Sequence, residues 1–194
     1  MKTPSSSPRP GRPRDPATAR ALLSAALYVL EHEGYEGFTI EAVAKRAGSS
    51  KVTIYRRWPS AAALLLAALA QHGAETVPAS STGPLERDLR KFFRVAFHQL
   101  NGRLGILLRS LMAEAQGSEE FRKSFRDEFI AQRRASLGTV LLAARARGEL
   151  AAGTNLELLL DFLFGAMWYR LLVAHAPLDA RFIDALVDLA RRYR

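Results

Sequence analysis

The residues best placed to do chemistry in this chain lie in the second half of TIEAVAKRAGSSKVTIYRRW, which runs from Thr39 to Trp58. Ser49, Ser50, Lys51, Thr53, Tyr55, Arg56 and Arg57 fall within nine positions. Hydroxyls donate and accept hydrogen bonds, and lysine and arginine donate with a full positive charge. From Ala42 to Ala74 the cations Lys45, Arg46, Lys51, Arg56 and Arg57 meet no acid, and residues 1–14 carry Lys2, Arg9, Arg12 and Arg14, again with no acid. Within a net charge of +9 this clustering is the electrostatic footprint of a nucleic-acid binder. A solvated basic face gives the same count, so the elements that position these residues decide between the two readings.

Ile40, Val43, Ala44 and Ala47 follow i, i+3, i+4, i+7 spacing and share one helical face. Thr39 suits the N-cap, Glu41 suits the positive end of the helix dipole, and Gly48 supplies a left-handed stop. Ser49-Ser50 opens a second helix on which Ile54 and Trp58 face inward. At about 100° per residue, Val52 and Arg56 then point away from Ile54, with Thr53, Tyr55 and Arg57 on the flanks. Two helices joined by a tight glycine turn, the second basic, hydroxyl-bearing and aromatic outside, read as a helix-turn-helix. Upstream, Asp15-Pro16 caps a helix carrying Leu22, Ala25, Ala26, Val29 and Leu30 on one stripe, closed by Gly34. That helix braces the reading head, and Phe38 packs beneath it.

The pattern Thr39-x-x-x-Val43-Ala44-x-x-Ala47-Gly48-x-Ser50-x-x-Thr53-Ile54-Tyr55-x-x-Trp58-Pro59-Ser60 resembles the DNA-binding signature of the tetracycline-repressor (TetR/AcrR) family. The resemblance implies an all-α protein of about nine helices: a basic arm at 1–14, a head at 15–72, a linker at 73–83 and a ligand-binding and dimerisation body at 84–194. It implies a homodimer through the last two helices, as a four-helix bundle, with two heads on successive major grooves about 34–36 Å apart on a palindromic operator. Carried over, Thr39, Ser50, Lys51 and Tyr55 contact phosphates, with Ser49 beside them, while Val52, Thr53 and Arg56 approach base edges and Arg57 does either. Family members commonly carry a lysine after the serine that opens the fourth helix; Ala61 stands there in this chain, which leaves only the Ser60 hydroxyl and the free N–H groups for a phosphate. In the arm, Arg9-Pro10-Gly11-Arg12-Pro13-Arg14 resembles an AT-hook core reaching into a minor groove, although a solvated basic tail with only nonspecific phosphate attraction is the favoured reading.

Beyond a fourth helix ending near His72, the turn-rich stretch Gly73–Pro84 marks a boundary. The body then shows helices with Leu89, Phe92 and Phe93 inward, a short apolar helix 104–115, and a long one to about Arg147 with Phe121, Phe125, Phe129, Leu137 and Leu141 inward. Thr154 and Glu157 have capping-box spacing. Residues 156–173 are apolar nearly all round and end at Ala176-Pro177, and a last helix follows Asp179. Such a helix needs cover on both sides, so one side should face a second subunit. Its embedded charges, Asp161 and Arg170, are expected to serve structure or a subunit contact rather than ligand capture. An effector site is expected among Phe93, Phe97, His98, Met112, Phe129, Trp168 and Arg170, with Gln99 beside them. This composition favours a hydrophobic, poorly charged molecule.

Cysteine is absent, and the four histidines lack ligand spacing, so neither a cofactor nor a metal is expected. No apolar run is long enough for a membrane span, and the N-terminus has no secretory core; the expected protein is soluble and cytoplasmic. No nucleophile, base or metal set converges, so no enzyme is expected. The reading is a repressor released by a small hydrophobic effector. A regulator of the same fold without a ligand switch, or a helical enzyme or scaffold, are the alternatives.

Overall fold

The computed structural model describes residues 16–35, 37–76 and 83–193. The basic arm with Arg12 and the Asp15 cap lie outside these, as does part of the linker. Among the described residues the chain is all-α: α1 (Pro16–Glu33), α2 (Ile40–Arg46), α3 (Lys51–Tyr55), α4 (Ala61–Thr76), α5 (Leu85–Leu100) and α6 (Arg103–Gly117). A long α7 follows through three consecutive segments, Glu119–Ser124, Phe125–Ile130 and Ala131–Ala146; α8 (Leu156–Val173) and α9 (Ala180–Arg192) complete nine helices.

The head packs α1 on α2 and α4, and α2 on α3. Leu22, Ala26 and Val29 of α1 meet Ile40 and Val43 of α2 and Ile54 of α3 in one buried cluster, with Phe38 beneath and Trp58 against it. The turn between α2 and α3 is set by backbone bonds. Gly48 N–H donates to Lys45 O (3.3 Å) and Ser49 N–H to Ala44 O (2.9 Å), the paired closure of a Schellman motif, with Gly48 at φ 59°. A side chain at Gly48 would carry the left-handed penalty, so this position needs glycine.

The α4 helix belongs to head and body at once. Leu64, Leu65 and Leu66 are consecutive and all fully buried, which one packed face cannot achieve. Its partners are α1 on one side and α7 on the other, chiefly at 125–130. It runs on to Thr76, four residues past the expected end, because Gly73 is tolerated inside a helix at a cost of about 1 kcal/mol.

In the body α5 is the central element, packed on α6, α7 and α9. Its first turn is tied from afar: Leu85 N–H donates to Glu149 Oε2 at 2.6 Å, just beyond the end of α7. The middle segment of α7, Phe125–Ile130, is a π-helix where a plain α-helix was expected. Phe121, Phe125 and Phe129 are spaced by four, a spacing that drifts about 40° per step on an α-helix. The wider π-turn takes back that drift, so Phe125 and Phe129 stay stacked with ring centroids 5.5 Å apart.

Two helix ends differ from expectation. Asn155, not Thr154, caps α8, its side chain accepting from Leu158 N–H at 3.1 Å. Thr154 is buried instead, and the helix simply starts one residue later beside an equally good capping residue. The same helix ends at Val173, where Ala174 adopts a left-handed φ of 55°, three residues before Pro177. No helix among the described residues is long and apolar enough to cross a membrane.

Candidate nucleic-acid interface and body cavity

The α3 helix has only five residues, and its caps hold it. Ser50 Oγ accepts from Thr53 N–H (3.2 Å) and lies 2.9 Å from Thr53 Oγ1, so the two hydroxyls form one bonded pair at the helix start. Thr39 does the same for α2, accepting from Ala42 N–H at 3.1 Å. Ile54 is the single fully buried residue of α3, and its burial turns the rest outward. Val52 is 76% exposed, an unusual exposure for a branched apolar side chain and the apex of the head's outer face. Lys51, Tyr55 and Arg56 are exposed around it, Thr53 is half-buried, and Ser49 and Arg57 lie half-buried at the two ends. Arg56 sits in the turn just past α3 rather than on it.

Lys51 has a partner that sequence reading missed. Its Nζ donates to Glu41 Oε1 at 2.5 Å, tying the first turn of α2 to the first turn of α3. This hydrogen bond holds the Glu41 carboxyl below its ordinary range and the Lys51 ammonium above its own. Glu41 was read only as an acid at a helix N-terminus; its reach across the turn is set by how the two helices cross. Behind the head, the Arg46 guanidinium lies 3.8 Å over the Tyr28 ring, which itself stacks on His32 at 3.9 Å. Ser60 Oγ is engaged as the cap of α4, accepting from Ala63 N–H at 3.1 Å.

The body holds a partly open cavity of about 260 Å³ between α5, α6, α7 and α8. Phe92, Ala96, Gln99 and Leu100 line it from α5, and Leu104 and Leu108 from α6. Phe129, Ile130, Arg133 and Arg134 line it from α7, and α8 adds Asp161, Phe164, Gly165, Met167 and Trp168. Of the expected effector residues, Phe129 and Trp168 stand in this wall, and so does Gln99. Phe93 and Phe97 do not: one residue on from Phe92 and Ala96, they are rotated by about 100° toward α9, where Phe97 stacks on Phe182 at 5.6 Å. His98 is exposed, and Met112 lies beyond the cavity, its sulfur 3.5 Å from Gln116 Nε2. Arg170 is a structural charge that closes the end of α8: it donates to Pro177 O at 2.7 Å and lies 3.6 Å over the Phe182 ring.

Asp161 is neither buried nor isolated. It accepts from Arg134 Nη1 at 2.6 Å, while Arg134 Nη2 reaches Glu157 Oε2 at 2.7 Å, so α7 and α8 are tied across the cavity's edge. Arg133 and Arg134 escaped the sequence reading, although Arg133 sits four residues after Phe129 and therefore near its face. The Arg133 guanidinium lies 5.2 Å from the Phe129 ring, and burial lowers its pKa.

The α8 helix has two faces. Leu159, Leu160, Leu163, Phe164, Met167 and Leu171 are buried, whereas Leu158, Phe162, Tyr169, Leu172 and Val173 are exposed. Leu189 of α9 is exposed as well. Head and body also touch away from α4, because Arg103 at the start of α6 donates to the Glu31 carbonyl near the end of α1.

A helix-turn-helix head presenting a basic, hydroxyl-bearing helix, joined by a shared helix to a hollow helical body, defines a DNA-binding transcriptional regulator. Residues 22–68 match the family model described as bacterial regulatory proteins of the tetR family, and residues 79–190 match the tetracyclin repressor-like C-terminal domain. The chain belongs to the TetR family. It is 31% identical over 176 residues to the DNA-binding transcriptional repressor TetR of Mycobacteroides abscessus, covering 90% of this chain and 92% of that one. The TetR family transcription regulator SCO0332 superposes with a TM-score of 0.84 at 32% identity, over 90% of this chain and 96% of its own. The Bacillus subtilis regulator FadR, solved with stearoyl-CoA, shares the fold with a TM-score of 0.64 at 17% identity, over 89% of this chain and 97% of its own. These relatives and this fold are those of transcriptional regulators rather than enzymes.

Proposed function

We propose that this regulator is a dimeric, ligand-responsive repressor that reads a palindromic operator through α3. The observation that carries the switch is the double duty of the π segment: Phe129 and Ile130 wall the cavity, and the same segment packs on α4, which is also part of the head's core. An occupant that moves 125–130 moves α4, and the spacing of two heads changes with it. The stearoyl-CoA held by FadR and the repressor role of the Mycobacteroides abscessus relative favour this reading. The exposed apolar face of α8, continued by Leu189, supports a subunit contact through the last two helices. In the head, Val52, Thr53 and Arg56 approach base edges. Thr39, Ser49, Ser50, Lys51 and Tyr55 hold phosphates, with Arg57 at the edge of the same face. The protein acts in the cytoplasm, where its operator is.

Selection of sites from random DNA with the full-length chain tests the reading. It should return a palindrome with half-sites separated by one turn or a whole number of turns. A ligand found by thermal-shift screening should then bind more weakly when operator is saturating, by the same factor that it weakens operator binding. Equal ligand affinities with and without operator would leave a DNA-binding regulator of the same fold without a ligand switch.

A further inference from the structure

The charged side chains in the cavity wall are already committed to partners. Asp161 accepts from Arg134 Nη1, and Arg134 Nη2 donates to Glu157, which stands outside the cavity. The Arg133 guanidinium lies over the Phe129 ring and is engaged elsewhere as well. The rest of the wall is aliphatic, aromatic or thioether, except for Gln99 on α5. Gln99 follows Phe92 and Ala96 at i, i+4, i+7 spacing, so the three share the face that lines the cavity. It is half-buried, and its side-chain amide makes no hydrogen bond among the described residues. That amide carries two N–H donors and an acceptor oxygen.

Resting on the reading that this cavity holds the effector, we infer that the effector is a neutral, apolar molecule with one oxygen function, a hydroxyl or a ketone, hydrogen-bonded to the Gln99 amide. A charged occupant has to displace one member of an existing pair or lie unpaired against apolar carbon, and both are costly. A pure hydrocarbon expels water from the Gln99 amide and strands it. One oxygen on an apolar body avoids both costs, because the amide donates to a ketone and accepts from a hydroxyl. Few placed polar groups in an apolar wall are how such sites orient a ligand. Of the other polar residues expected at the effector, His98 is exposed and Arg170 is spent closing α8 on the Pro177 carbonyl. The volume, about 260 Å³, is roughly nine times the ~30 Å³ that one water takes in the liquid, which suits a molecule of about ten non-hydrogen atoms.

The test is equilibrium dialysis of the full-length protein at neutral pH against naphthalene, 2-naphthol, 2-naphthoate and 2-naphthylmethylammonium, one ring system with four substituents. The unmodified protein should bind 2-naphthol about tenfold or more tighter than either ion. Naphthalene is the more hydrophobic of the two neutral probes, so the second readout is the ratio of 2-naphthol to naphthalene affinity. In Gln99→Met, which keeps the side chain's length and removes the amide, that ratio should fall about tenfold, or about 1.4 kcal/mol. Gln99→Leu should do the same, with naphthalene affinity held or raised in both variants. Retained helicity and operator affinity show that the fold is intact. A ratio that is unchanged in both variants overturns the inference, and so does an ion that binds as tightly as 2-naphthol; either result leaves the cavity as an effector site. Failure of all four probes to bind overturns the effector cavity as well.

Discussion

The reading helix α3 and the body helix α8 are held in place by different means. The shorter has five residues and one buried side chain; the longer has eighteen residues and six buried ones. A helix of five residues has no stability of its own, so α3 exists because Ser50 caps it, the Gly48 turn aims it and Ile54 anchors it. The rest of it turns outward, with Lys51 paired to Glu41 and Thr53 bonded to Ser50. In α8 the apolar surface exceeds what one protomer can cover, and Leu158, Phe162, Tyr169, Leu172 and Val173 remain outside. On the proposed reading, polar side chains on a minimal helix serve recognition of DNA, and surplus apolar surface on a long one serves recognition of a like surface.

The sharpest break of this contrast lies on α8 and α9. Phe162→Glu combined with Leu189→Glu places charges on the outward faces, at the cost within the protomer of one ring contact between Phe162 and Tyr193. The expected result is a folded monomer by light scattering, with operator affinity reduced about 100-fold or more because the second head no longer binds intramolecularly. Phe164 and Leu186, on the same two helices, are buried inside the protomer, so charges there should destabilise the fold itself. A double variant that remains dimeric and binds operator normally would place the subunit contact elsewhere.

That distinction also marks how far the sequence is readable. The head was legible because its determinants are local: the Thr39 and Ser50 caps, the Gly48 turn and the burial of Ile54 are all set within a few residues. Periodicity and its breaks placed the body helices, in the nine-helix layout that the family resemblance implies. Which face of an apolar helix turns inward depends on where its neighbours cross, and periodicity does not carry that information. Hence Phe93 and Phe97 were read as effector residues although they pack toward α9, while Arg133 and Arg134 went unnoticed. The π segment was hinted at by three phenylalanines spaced by four with no compensating step of three. The Glu41–Lys51 pair spans ten residues and two helices, and only the crossing of α2 and α3 creates it.

Within the head, base readers and phosphate holders separate by experiment. Arg56→Ala should cost about 1–3 kcal/mol on the operator and relax preference at one base pair, with much smaller losses on random DNA. Lys51→Ala should weaken both kinds of DNA alike and flatten the salt dependence of binding by up to about one phosphate. Anisotropy titrations against operator and scrambled duplexes over a range of salt measure both. Equal, sequence-independent losses in the two variants would remove Arg56 from base readout.

The smallest expected effect is the most specific to this chain. Lys51 cannot serve Glu41 and a phosphate fully at once. The carboxyl's lowered pKa means that the pair's contribution is present above the ordinary carboxylate range and is lost as pH falls through the depressed value. The ammonium's raised pKa means that the contribution is lost only as pH rises through the elevated value. Near neutrality the pair is therefore intact, and a phosphate held by Lys51, as proposed, would compete with it. Both side chains are more than half exposed, so the pair adds little to stability. Glu41→Gln should leave thermal stability unchanged, tighten DNA binding a few-fold and steepen its salt dependence. In a Lys51→Ala background the same substitution should tighten binding much less, the non-additivity expected of residues that share one interaction. If Glu41→Gln helps equally with and without Lys51, the glutamate acts only by repelling the DNA backbone, and the contact between α2 and α3 is not a restraint on the reading helix.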